Sequence, residues 1–511
     1  MVNDFLSLKS GTDIRGVAVE GVEGEFVNLT DEILARIIVS FAFWLSKEKN
    51  KNVDDLLVAI GHDSRISAGR IKNVLINTLG ELGVKIFDCG LSSTPAMFMT
   101  IIDLKCDASI EITASHHPFN RNGLKFFTKD GGLDSSDIEE ILINANSNFK
   151  FVKHDKCLIE KINYMKIYSQ RLRKIICEGI GEKEETKPLK GFKIIVDAGN
   201  GVGGFFATEV LEYLGADISG SQFLEPDGKF PNHMPNPEDK IAVASVVKAV
   251  LKNHADLGII FDTDVDRAGA IDCNGDEICG NSLIALAAHI FLKENAGGTI
   301  VTDSVTSDGI REYIESELKG VHNRFKRGYK NVINEAKRLN LQGINCPLAI
   351  ETSGHAAMRE NYFLDDGAYL ITKIIVELVN LKKIGKNFSD VLKKLKKPKE
   401  SKEFRLEILC RDFKLYGEKI INDLIIYAKN KESWKIAPDN KEGIRISFDK
   451  NKGDGWLLLR MSVHDPVMPL NIESNLIGGA KIILHEFYDF IEKYDNLNIT
   501  SLKVFLEKIN R

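Results

Sequence analysis

A short apolar strand, a turn rich in Asp or Gly, and an amphipathic helix pattern occur in this order three times along the chain. The strand segments are Leu56–Ile60, Phe192–Val196 and Thr299–Thr302, and long intervals separate them. A strand, a turn and a helix in this order are typical of the opening of an α/β unit, and recurrence along a chain indicates related structural units. We therefore expect three similar α/β domains with mixed sheets.

The chain after about residue 396 differs from these repeats, because strand and helix patterns alternate there. A hairpin is predicted within residues 443–460 and a helix over residues 477–493. This pattern predicts a smaller α+β domain, and the Lys-rich stretch Lys393–Lys402 is the predicted linker to it. A length of 511 residues is consistent with three or four domains. The expected domain bounds are 1–160, 161–276, 277–395 and 396–511.

Composition excludes several classes of protein. Hydrophobic residues make up 43%, charged residues 28%, and the net charge is −5, which is typical of a globular protein rather than a disordered chain. The basic runs Lys382–Lys386 and Lys393–Lys399 are short and are interpreted as solvated faces, so no nucleic-acid partner is expected. The longest apolar stretch, Ile33–Leu45, is too short to span a membrane and contains Arg36.

The first residues and the cysteines suggest a compartment. The start of the chain lacks the pattern of a secretory signal or a transit peptide. The eight cysteines are scattered without the spacing of a zinc site. We therefore expect free thiols in a reducing cytoplasm, or in the plastid stroma if the chain comes from a plant or alga.

Ser115 lies in a turn of small and polar residues after the predicted strand Ala108–Ile112. Such a turn exposes the hydroxyl and surrounds it with hydrogen-bond donors. Lys125 begins a second apolar strand, which should return a cation toward the same turn. Taken alone, this segment favours an ordinary surface turn over a functional site.

Three carboxylates at alternate positions follow the apolar segment Leu257–Phe261. They are Asp262, Asp264 and Asp266, and Arg267 ends the run. Hard oxygen ligands at this density suit Mg²⁺ held by a loop. A solvated acidic turn is the alternative, but three closely spaced, unpaired acids would repel each other without a cation.

Two further polar segments could bind parts of a small substrate. Glu351, Ser353 and His355 lie on a Gly-containing turn and offer an acceptor, a hydroxyl and a titrating group, a set that can grip sugar hydroxyls. Alone, this set is as consistent with a polar loop as with a binding site.

The second of these segments suits an anion. Arg460, Ser462 and His464 follow a predicted strand and form a possible anion cradle. Residues Lys9–Gly16, which include Arg15, have the same character, because they combine glycine, a hydroxyl and an arginine. Neither segment is specific by itself.

Two other motifs resemble known functional signatures. Gly199–Gly204 matches a dinucleotide-binding fingerprint, but no acidic residue ends a clear second strand about twenty positions later, so we interpret these glycines as sites of close helix–strand packing. The segment from Asp262 to Val265, with Asp365 and Asp366 downstream, is similar to the nucleophile motif of haloacid-dehalogenase-like phosphatases. That interpretation leaves the segments around Ser115 and Arg460 unexplained.

Taken together and in this order, four segments resemble the α-D-phosphohexomutase superfamily of phosphoglucomutases, phosphomannomutases and their amino-sugar relatives. Thr113–Pro118 resembles the phosphoserine loop, Asp262–Arg267 the magnesium loop, Glu351–His355 the sugar-binding loop and Arg460–Pro466 the phosphate-binding loop. The resemblance covers essentially the whole chain. It implies three similar α/β domains and a smaller fourth domain, arranged around one cleft.

The resemblance implies a hexose phosphate substrate, Mg²⁺, and glucose 1,6-bisphosphate as an activator of a monomer or homodimer. Ser115 would carry a phosphoryl group and pass it to the sugar. The implied metal ligands are Ser115, Asp262, Asp264 and Asp266. The implied catalytic residues are Ser115, Lys125, His355, Arg267 and Arg15. The implied substrate-binding residues are Glu351, Ser353, Tyr329, Lys330, Arg460, Ser462 and His464.

The departures from the family pattern affect the expected substrate more than the expected reaction. His117 stands where the family usually has Asn, and Thr263 and Val265 stand where Gly is common. Residues 463–465 also differ from the usual phosphate-binding loop. The sequences of these loops resemble those of the family branch found in cyanobacteria and plant plastids. The Glu-x-Ser-Gly-His form favours glucose or mannose phosphates, because the amino-sugar mutases tend to show Gln before Ser-Gly-His and this chain has Thr352 there. The alternatives are a phosphoglucosamine mutase, a phosphatase that uses Asp262, and a silent sugar-phosphate-binding protein.

Overall fold

A computed structural model describes residues 5–147, 149–154, 158–462 and 465–507. The described chain forms two compact units. The first unit comprises the residues up to Ile290 together with Ser353–Val391, and the second comprises Phe291–Thr352 and the described residues from Leu392 onward.

The first unit opens with a mixed sheet whose strands follow the order β1-β2-β6-β5-β3-β4-β8, with β7 paired to β6. These strands are β1 (Lys9–Ser10), β2 (Asp13–Val17), β3 (Leu57–His62), β4 (Lys85–Leu91), β5 (Ala108–Ile112), β6 (Arg121–Thr128), β7 (Gly131–Gly132) and β8 (Ile159–Lys161). The helices are α1 (Asp31–Lys49), α2 (Ala68–Glu81), α3 (Thr94–Asp103), α4 (Ser135–Asn144) and α5 (Tyr164–Ile180). Strand β3 is parallel to β4 and β5, whereas β5 and β6 are antiparallel.

Local sequence signals set the ends of the first long helix. The side chain of Thr30 accepts a hydrogen bond from the Ile33 N–H at the start of α1, and Asn50 ends the helix in the left-handed conformation. Between these caps, apolar residues at helical spacing are buried against the sheet, including Leu34, Ile38 and Phe41. Helix α1 therefore covers a core to which β3 and β5 contribute.

A second sheet in the first unit has the order β12-β11-β10-β9. Its strands are β9 (Ile194–Asp197), β10 (Leu257–Phe261), β11 (Ala268–Asp272) and β12 (Glu277–Ile278), and the accompanying helices are α6 (Lys240–Asn253) and α7 (Asn281–Glu294). A π-helical segment, Phe206–Glu212, follows the turn after β9. Strands β10 and β9 are parallel, whereas β10 and β11 are antiparallel, so one short loop joins β10 to β11.

The second unit begins with three parallel strands in which β13 pairs with both β14 and β15. These are β13 (Thr299–Thr302), β14 (Val321–Arg324) and β15 (Leu348–Ile350), accompanied by α8 (Asp308–Glu312) and α9 (Tyr329–Leu341). The chain then returns to the first unit. There it forms the antiparallel pair β16 (Ala356–Met358) and β17 (Leu364–Asp365), followed by α10 (Gly367–Lys383) and α11 (Phe388–Leu392).

The rest of the second unit is an antiparallel sheet in the order β19-β20-β21-β22-β18-β23. Its strands are β18 (Glu400–Ile408), β19 (Trp434–Ile436), β20 (Ile444–Phe448), β21 (Gly455–Leu459), β22 (Val467–Ser474) and β23 (Leu497–Asn498). Helices α12 (Phe413–Lys429), α13 (Gly479–Ile491) and α14 (Thr500–Glu507) cover an apolar core on this sheet. The expected α/β class with an α+β C-terminal region is confirmed.

The predicted opening strands are confirmed as β3, β9 and β13, and the predicted C-terminal hairpin as β20 and β21. Two local expectations were wrong. Lys125 lies within β6 rather than at its start, because β6 already begins at Arg121. The end of the predicted linker is the start of β18, since Glu400 onward pairs with β22. Within the described ranges, no helix has the length and apolar character needed to cross a membrane.

Candidate active site

Ser115 lies in the turn between β5 and β6, but its side chain is buried, so the expectation of an exposed hydroxyl was wrong. Its Oγ donates a hydrogen bond to Asp262 Oδ2 at 3.0 Å and accepts one from Arg267 Nη2 at 3.3 Å. The backbone of Ser115 has a φ of +49°. A residue other than glycine reaches this left-handed region at a cost of about 1 kcal/mol or more, so the surrounding structure must hold the turn in place.

The three acids lie in the loop that joins β10 to β11, and all three are buried. Arg267 binds Asp262 twice, through its backbone N–H to Oδ1 and its Nε to Oδ2, both at 3.1 Å. Burial and the neighbouring carboxylates of Asp266 and Asp264 raise the pKa of Asp262 well above its usual value. The loop therefore concentrates negative charge that the protein offsets only in part.

The acidic loop also contains a strained residue. Val265 has a φ of +66°, which is unusual for a β-branched side chain. Its carbonyl accepts a hydrogen bond from the Gly367 N–H at 3.2 Å. A Cβ at Gly367 would lie 2.7 Å from the carbonyl carbon of Arg267, so this glycine permits the close approach that supports the loop.

Lys125 supplies the cation that the sequence pattern placed near the serine turn. Its Nζ donates to Asp264 Oδ2 at 2.8 Å and to Asp266 Oδ2 at 2.5 Å. Burial alone would raise the pKa of Asp266, but Lys125, His355 and Arg267 outweigh that effect and lower it. The premise that the three acids are unpaired was therefore wrong: lysine and arginine ion pairs already compensate part of their repulsion.

His355 also faces the acidic loop. Its Nδ1 lies 2.5 Å from Asp365 Oδ2 and 4.0 Å from Asp266 Oδ1. Burial disfavours the imidazolium, but Asp365 and Asp266 outweigh burial and raise the pKa of His355 to about 9. Asp365 therefore pairs with the histidine.

Arg15 approaches the serine turn from β2. Its Nη1 donates to the Ala114 carbonyl at 3.0 Å, and its Nη2 donates to Asp13 Oδ2 at 2.8 Å. Its guanidinium therefore contacts the residue that precedes Ser115. The predicted catalytic residues Ser115, Lys125, Arg267, His355 and Arg15 all belong to the first unit.

The donor set of the acidic loop fits a hard divalent cation. One carboxylate oxygen from each of Asp262, Asp264 and Asp266 lies within 4.8 Å of the others. Oδ1 of Asp264 and Oδ1 of Asp266 are buried without a hydrogen-bond partner among the described residues. Buried acceptors of this kind are costly unless they are satisfied, and oxygen-only donors suit Mg²⁺.

The predicted sugar-binding loop continues from β15, and its residues are divided between the units. Glu351 belongs to the second unit, where its Oε1 accepts a hydrogen bond from the Gly328 N–H at 2.5 Å. Tyr329 and Lys330 follow at the start of α9 in the same unit and are half-buried. Ser353 belongs to the first unit and is buried.

Arg460 and Ser462 lie in the second unit after β21. Arg460 is buried, and its Nη1 lies 3.9 Å from Glu442 Oε1, beyond hydrogen-bond distance. Glu442 instead accepts hydrogen bonds from Ser304 Oγ at 2.5 Å and from the Arg327 N–H at 3.1 Å. The predicted binding residue His464 lies outside the described residues.

Some residues of this site could not be identified from sequence patterns. Thr94 Oγ1 donates to Asp264 Oδ2 at 2.5 Å, and Thr113 Oγ1 accepts from the Ser115 N–H at 2.8 Å. Thr94 lies 170 residues from its partner, and no spacing rule connects them. The sequence indicates a role for Asp365 only through the phosphatase-like motif.

Comparisons with known proteins give a consistent result along most of the chain. Residues 9–151, 167–275 and 279–398 match domains I, II and III described as phosphoglucomutase/phosphomannomutase alpha/beta/alpha domains. A "Phosphoglucomutase/phosphomannomutase" of Thermococcus kodakarensis is 30% identical over 469 residues, which cover 90% of this chain and 93% of that protein. A "Phosphoglucosamine mutase" of Lactobacillus helveticus is 29% identical, over 88% of this chain and 91% of that protein.

A solved structure shows the same fold. The crystal structure of a phosphoglucomutase/phosphomannomutase family protein from Burkholderia thailandensis superposes with a TM-score of 0.75. The alignment covers 99% of this chain and 98% of that chain at 23% sequence identity. At this identity the likeness supports the fold alone.

Proposed function

This chain is a member of the phosphoglucomutase/phosphomannomutase family, and we propose that Ser115 is its phosphoryl carrier. It is a phosphohexomutase, an isomerase that interconverts hexose 1-phosphates and hexose 6-phosphates. The observation that carries the proposal is the buried Ser115 hydroxyl, which is within hydrogen-bond distance of both Asp262 and Arg267.

In the proposed reaction, phosphorylated Ser115 transfers its phosphoryl group to the free hydroxyl of a hexose monophosphate. The bond from phosphorus to Ser115 Oγ breaks, a bond to the sugar oxygen forms, and the sugar hydroxyl loses its proton. The resulting bisphosphate reorients and returns its other phosphoryl group to Ser115. Lys125 and His355 are the residues proposed to move the proton, since both lie against the acidic loop. The group that accepts the proton must be in its neutral form. Because the pKa of His355 is raised to about 9, its neutral fraction grows as the pH rises toward that value.

Charge compensation is the main physical demand of this reaction. A phosphoserine carries about −1.5 to −2 charges, and the guanidinium of Arg267 already contacts the oxygen that would bear the phosphate. Arg15 binds the preceding carbonyl. Such pre-positioned cations stabilise charge that develops during transfer without a cost of reorganisation.

We assign the metal site to Asp262, Asp264 and Asp266, together with Ser115 when it is phosphorylated. When bound there, Mg²⁺ would neutralise the phosphoryl oxygens and stabilise the group in transfer. The buried, unsatisfied oxygens of Asp264 and Asp266 support this assignment. Lys125 and Arg267 would then keep the carboxylates oriented for binding.

The second unit supplies the proposed substrate-binding groups. Arg460 and Ser462 bind the phosphate that is not reacting, because a guanidinium can donate two parallel hydrogen bonds to a phosphate. Glu351 binds sugar hydroxyls, and Ser353 of the first unit does the same. Tyr329 and Lys330, at the start of α9, also bind the substrate. We propose glucose 1,6-bisphosphate as the activator, because it can phosphorylate Ser115 directly.

The proposed substrates are glucose and mannose phosphates. Phosphoglucosamine mutase is the second candidate, because a relative of that name is 29% identical. Thr352, which donates to Asp303 Oδ2 at 2.7 Å, stands before Ser353 in place of the Gln expected for an amino sugar. Competition between glucose and glucosamine phosphates should therefore favour glucose, and a preference for glucosamine phosphate would reverse the assignment.

We also propose that the enzyme works as a monomer or homodimer in the cytoplasm, or in the plastid stroma if its source is a plant or alga. The described cysteines carry no disulfide, which is consistent with a reducing compartment.

The test of the carrier is Ser115→Ala, assayed for interconversion of glucose 1-phosphate and glucose 6-phosphate. Loss of the nucleophile should lower kcat by roughly 10⁴-fold or more. Ser109→Ala is the matched control, because Ser109 is buried in β5 and its Oγ has no hydrogen-bond partner among the described residues. Wild-type turnover in Ser115→Ala would refute the proposal.

A further inference from the structure

We infer that Arg65 is a positioning residue that holds the backbone of the serine turn in the conformation from which Ser115 exchanges its phosphoryl group. Arg65 belongs to the Asp- and Gly-rich turn after β3, a motif that the proposed reaction leaves without a role. The inference rests on the proposed function, since it concerns the same serine.

The side chain of Arg65 is fully buried and donates hydrogen bonds to four backbone carbonyls of a single turn. Its Nη1 donates to the carbonyls of Pro118 at 2.7 Å and Arg121 at 2.9 Å. Its Nη2 donates to the carbonyls of Ser115 at 2.5 Å and His117 at 2.6 Å. One guanidinium therefore spans the turn from the phosphoryl carrier to the first residue of β6.

The same hydrogen-bond network also holds the backbone N–H of Ser115. Asp63 Oδ2 lies 3.2 Å from Arg65 Nε and accepts a hydrogen bond from Thr113 Oγ1 at 2.7 Å. Thr113 Oγ1 in turn accepts from the Ser115 N–H at 2.8 Å. The N–H and the carbonyl of Ser115 are thus both held by groups linked through Asp63.

This network explains how Ser115 keeps its left-handed backbone. A φ of +49° at a serine is unfavourable, and a strained conformation persists only where the surroundings over-determine it. Hydrogen bonds from a charged donor are stronger than neutral ones, and Arg65 makes four of them to this turn. The direction of Ser115 Oγ toward Asp262 and Arg267 therefore depends on Arg65, whose hydrogen bonds and ion pair within the described part of the chain are with other residues.

Lysine cannot replace this arrangement. A guanidinium presents five N–H donors in a rigid plane, whereas an ammonium group has three donors at one point. Arg65→Lys keeps a positive charge but cannot reach carbonyls of four residues at once. The variant separates the geometry of the network from its charge.

The experiment compares Arg65→Lys with wild type in steady-state mutase kinetics and in the rate at which glucose 1,6-bisphosphate phosphorylates Ser115. We expect kcat and the phosphorylation rate to fall about 10- to 100-fold, since small misplacement of a reacting group costs rates of this order, while KM stays within about twofold. Arg70→Lys is the matched control. Arg70 lies in α2 and also donates to backbone carbonyls, those of Ala18 and Leu29, away from the serine turn.

Thr113→Val is the second variant, because with little change in volume it removes both the acceptor for the Ser115 N–H and the donor to Asp63, the partner of Arg65. It should reproduce the selective loss of kcat even if Arg65→Lys proves unstable. Wild-type kcat in Thr113→Val or in a folded Arg65→Lys would overturn the inference, as would an equal loss in Arg70→Lys. Failure of the proposed function is distinguishable, because wild-type protein would then not become phosphorylated on Ser115 at all.

Discussion

Two groups of residues differ in how completely their charged side chains form ion pairs. One is the acidic loop with Ser115, and the other contains the residues proposed to bind phosphate. We call Ser115, Lys125, Asp262, Asp264, Asp266, Arg267 and His355 the transfer centre, and Arg460, Ser462 and Glu442 the phosphate-holding set. In the transfer centre, Lys125 and Arg267 both form close ion pairs with buried carboxylates. In the phosphate-holding set, Arg460 lies 3.9 Å from Glu442, and its buried Nε has no hydrogen-bond partner among the described residues.

This difference indicates a division of labour. Charges fixed before the reaction stabilise a transition state, whereas a cation that is buried without a close partner gains most when a phosphate arrives. We therefore expect changes in the transfer centre to lower kcat and changes in the phosphate-holding set to raise KM.

After Ser115→Ala, the largest effect is expected from Asp264→Asn, which removes one of the three proposed metal ligands and a partner of Lys125. A metal contributes several kcal/mol to transfer, so kcat should fall about 10²- to 10⁴-fold, and more Mg²⁺ should be needed for half-maximal activity. The measurement is turnover against Mg²⁺ concentration, with the exposed Asp217→Asn as control. Full wild-type turnover after chelation would show that the acidic loop does not act through a metal.

Arg460→Ala should have the next largest effect. Loss of a charge-assisted hydrogen bond costs about 1.5–3 kcal/mol, so KM should rise about 10- to 100-fold while kcat changes little. Activity should also depend more on added glucose 1,6-bisphosphate, because the intermediate escapes before it reorients.

The exposed Arg405→Ala in the same unit is the control for Arg460→Ala. Unchanged kinetics in Arg460→Ala would mean that this loop does not bind phosphate. If Ser115 could not be phosphorylated at saturating bisphosphate, Arg460 would belong to the chemistry, and the division of labour would be wrong.

The smallest effect concerns stability alone. Burial raises the pKa of Glu473 in β22 to about 7, from an ordinary value of 4.5. Between about pH 4.5 and pH 7, the folded state therefore keeps a proton on Glu473 that the unfolded state releases. The free energy of unfolding falls as the pH rises through this range. Glu473→Gln should remove this loss and stabilise the protein by about 1–3 kcal/mol at pH 8, with little change at pH 4.

Urea denaturation of wild type and Glu473→Gln at the two pH values checks this prediction, and mutase kinetics should remain unchanged. Glu407→Gln, at an exposed position of β18, is the control. Equal stability of Glu473→Gln and wild type at pH 8 would contradict the prediction.

Local sequence patterns predicted the elements that position the transfer centre. The strand before the acidic loop was confirmed as β10, and the strand before Ser115 as β5. These strands are short apolar runs ended by polar turn residues, and such signals depend only on neighbouring residues. The order of the motifs then suggested that serine and acids meet, and the 3.0 Å contact between Ser115 and Asp262 confirms it.

The ion pairs could not be predicted in the same way. Lys125 reaches Asp264 and Asp266 because β6 pairs with β5 in a register that places Lys125 opposite Glu111. Register and contacts between distant segments depend on the whole fold. For the same reason, sequence patterns do not predict the four hydrogen bonds from Arg65 to backbone carbonyls, although its turn belongs to the predicted repeat.

The most direct test of the account is a single-turnover experiment with phosphorylated enzyme. Protein phosphorylated on Ser115 is mixed with excess glucose 1-phosphate and Mg²⁺, and the loss of phosphate from Ser115 is followed by mass spectrometry alongside formation of the bisphosphate. The account predicts that both occur at the same rate, which is at least as fast as kcat. Turnover of the sugar phosphate while Ser115 never gains or loses phosphate would contradict it.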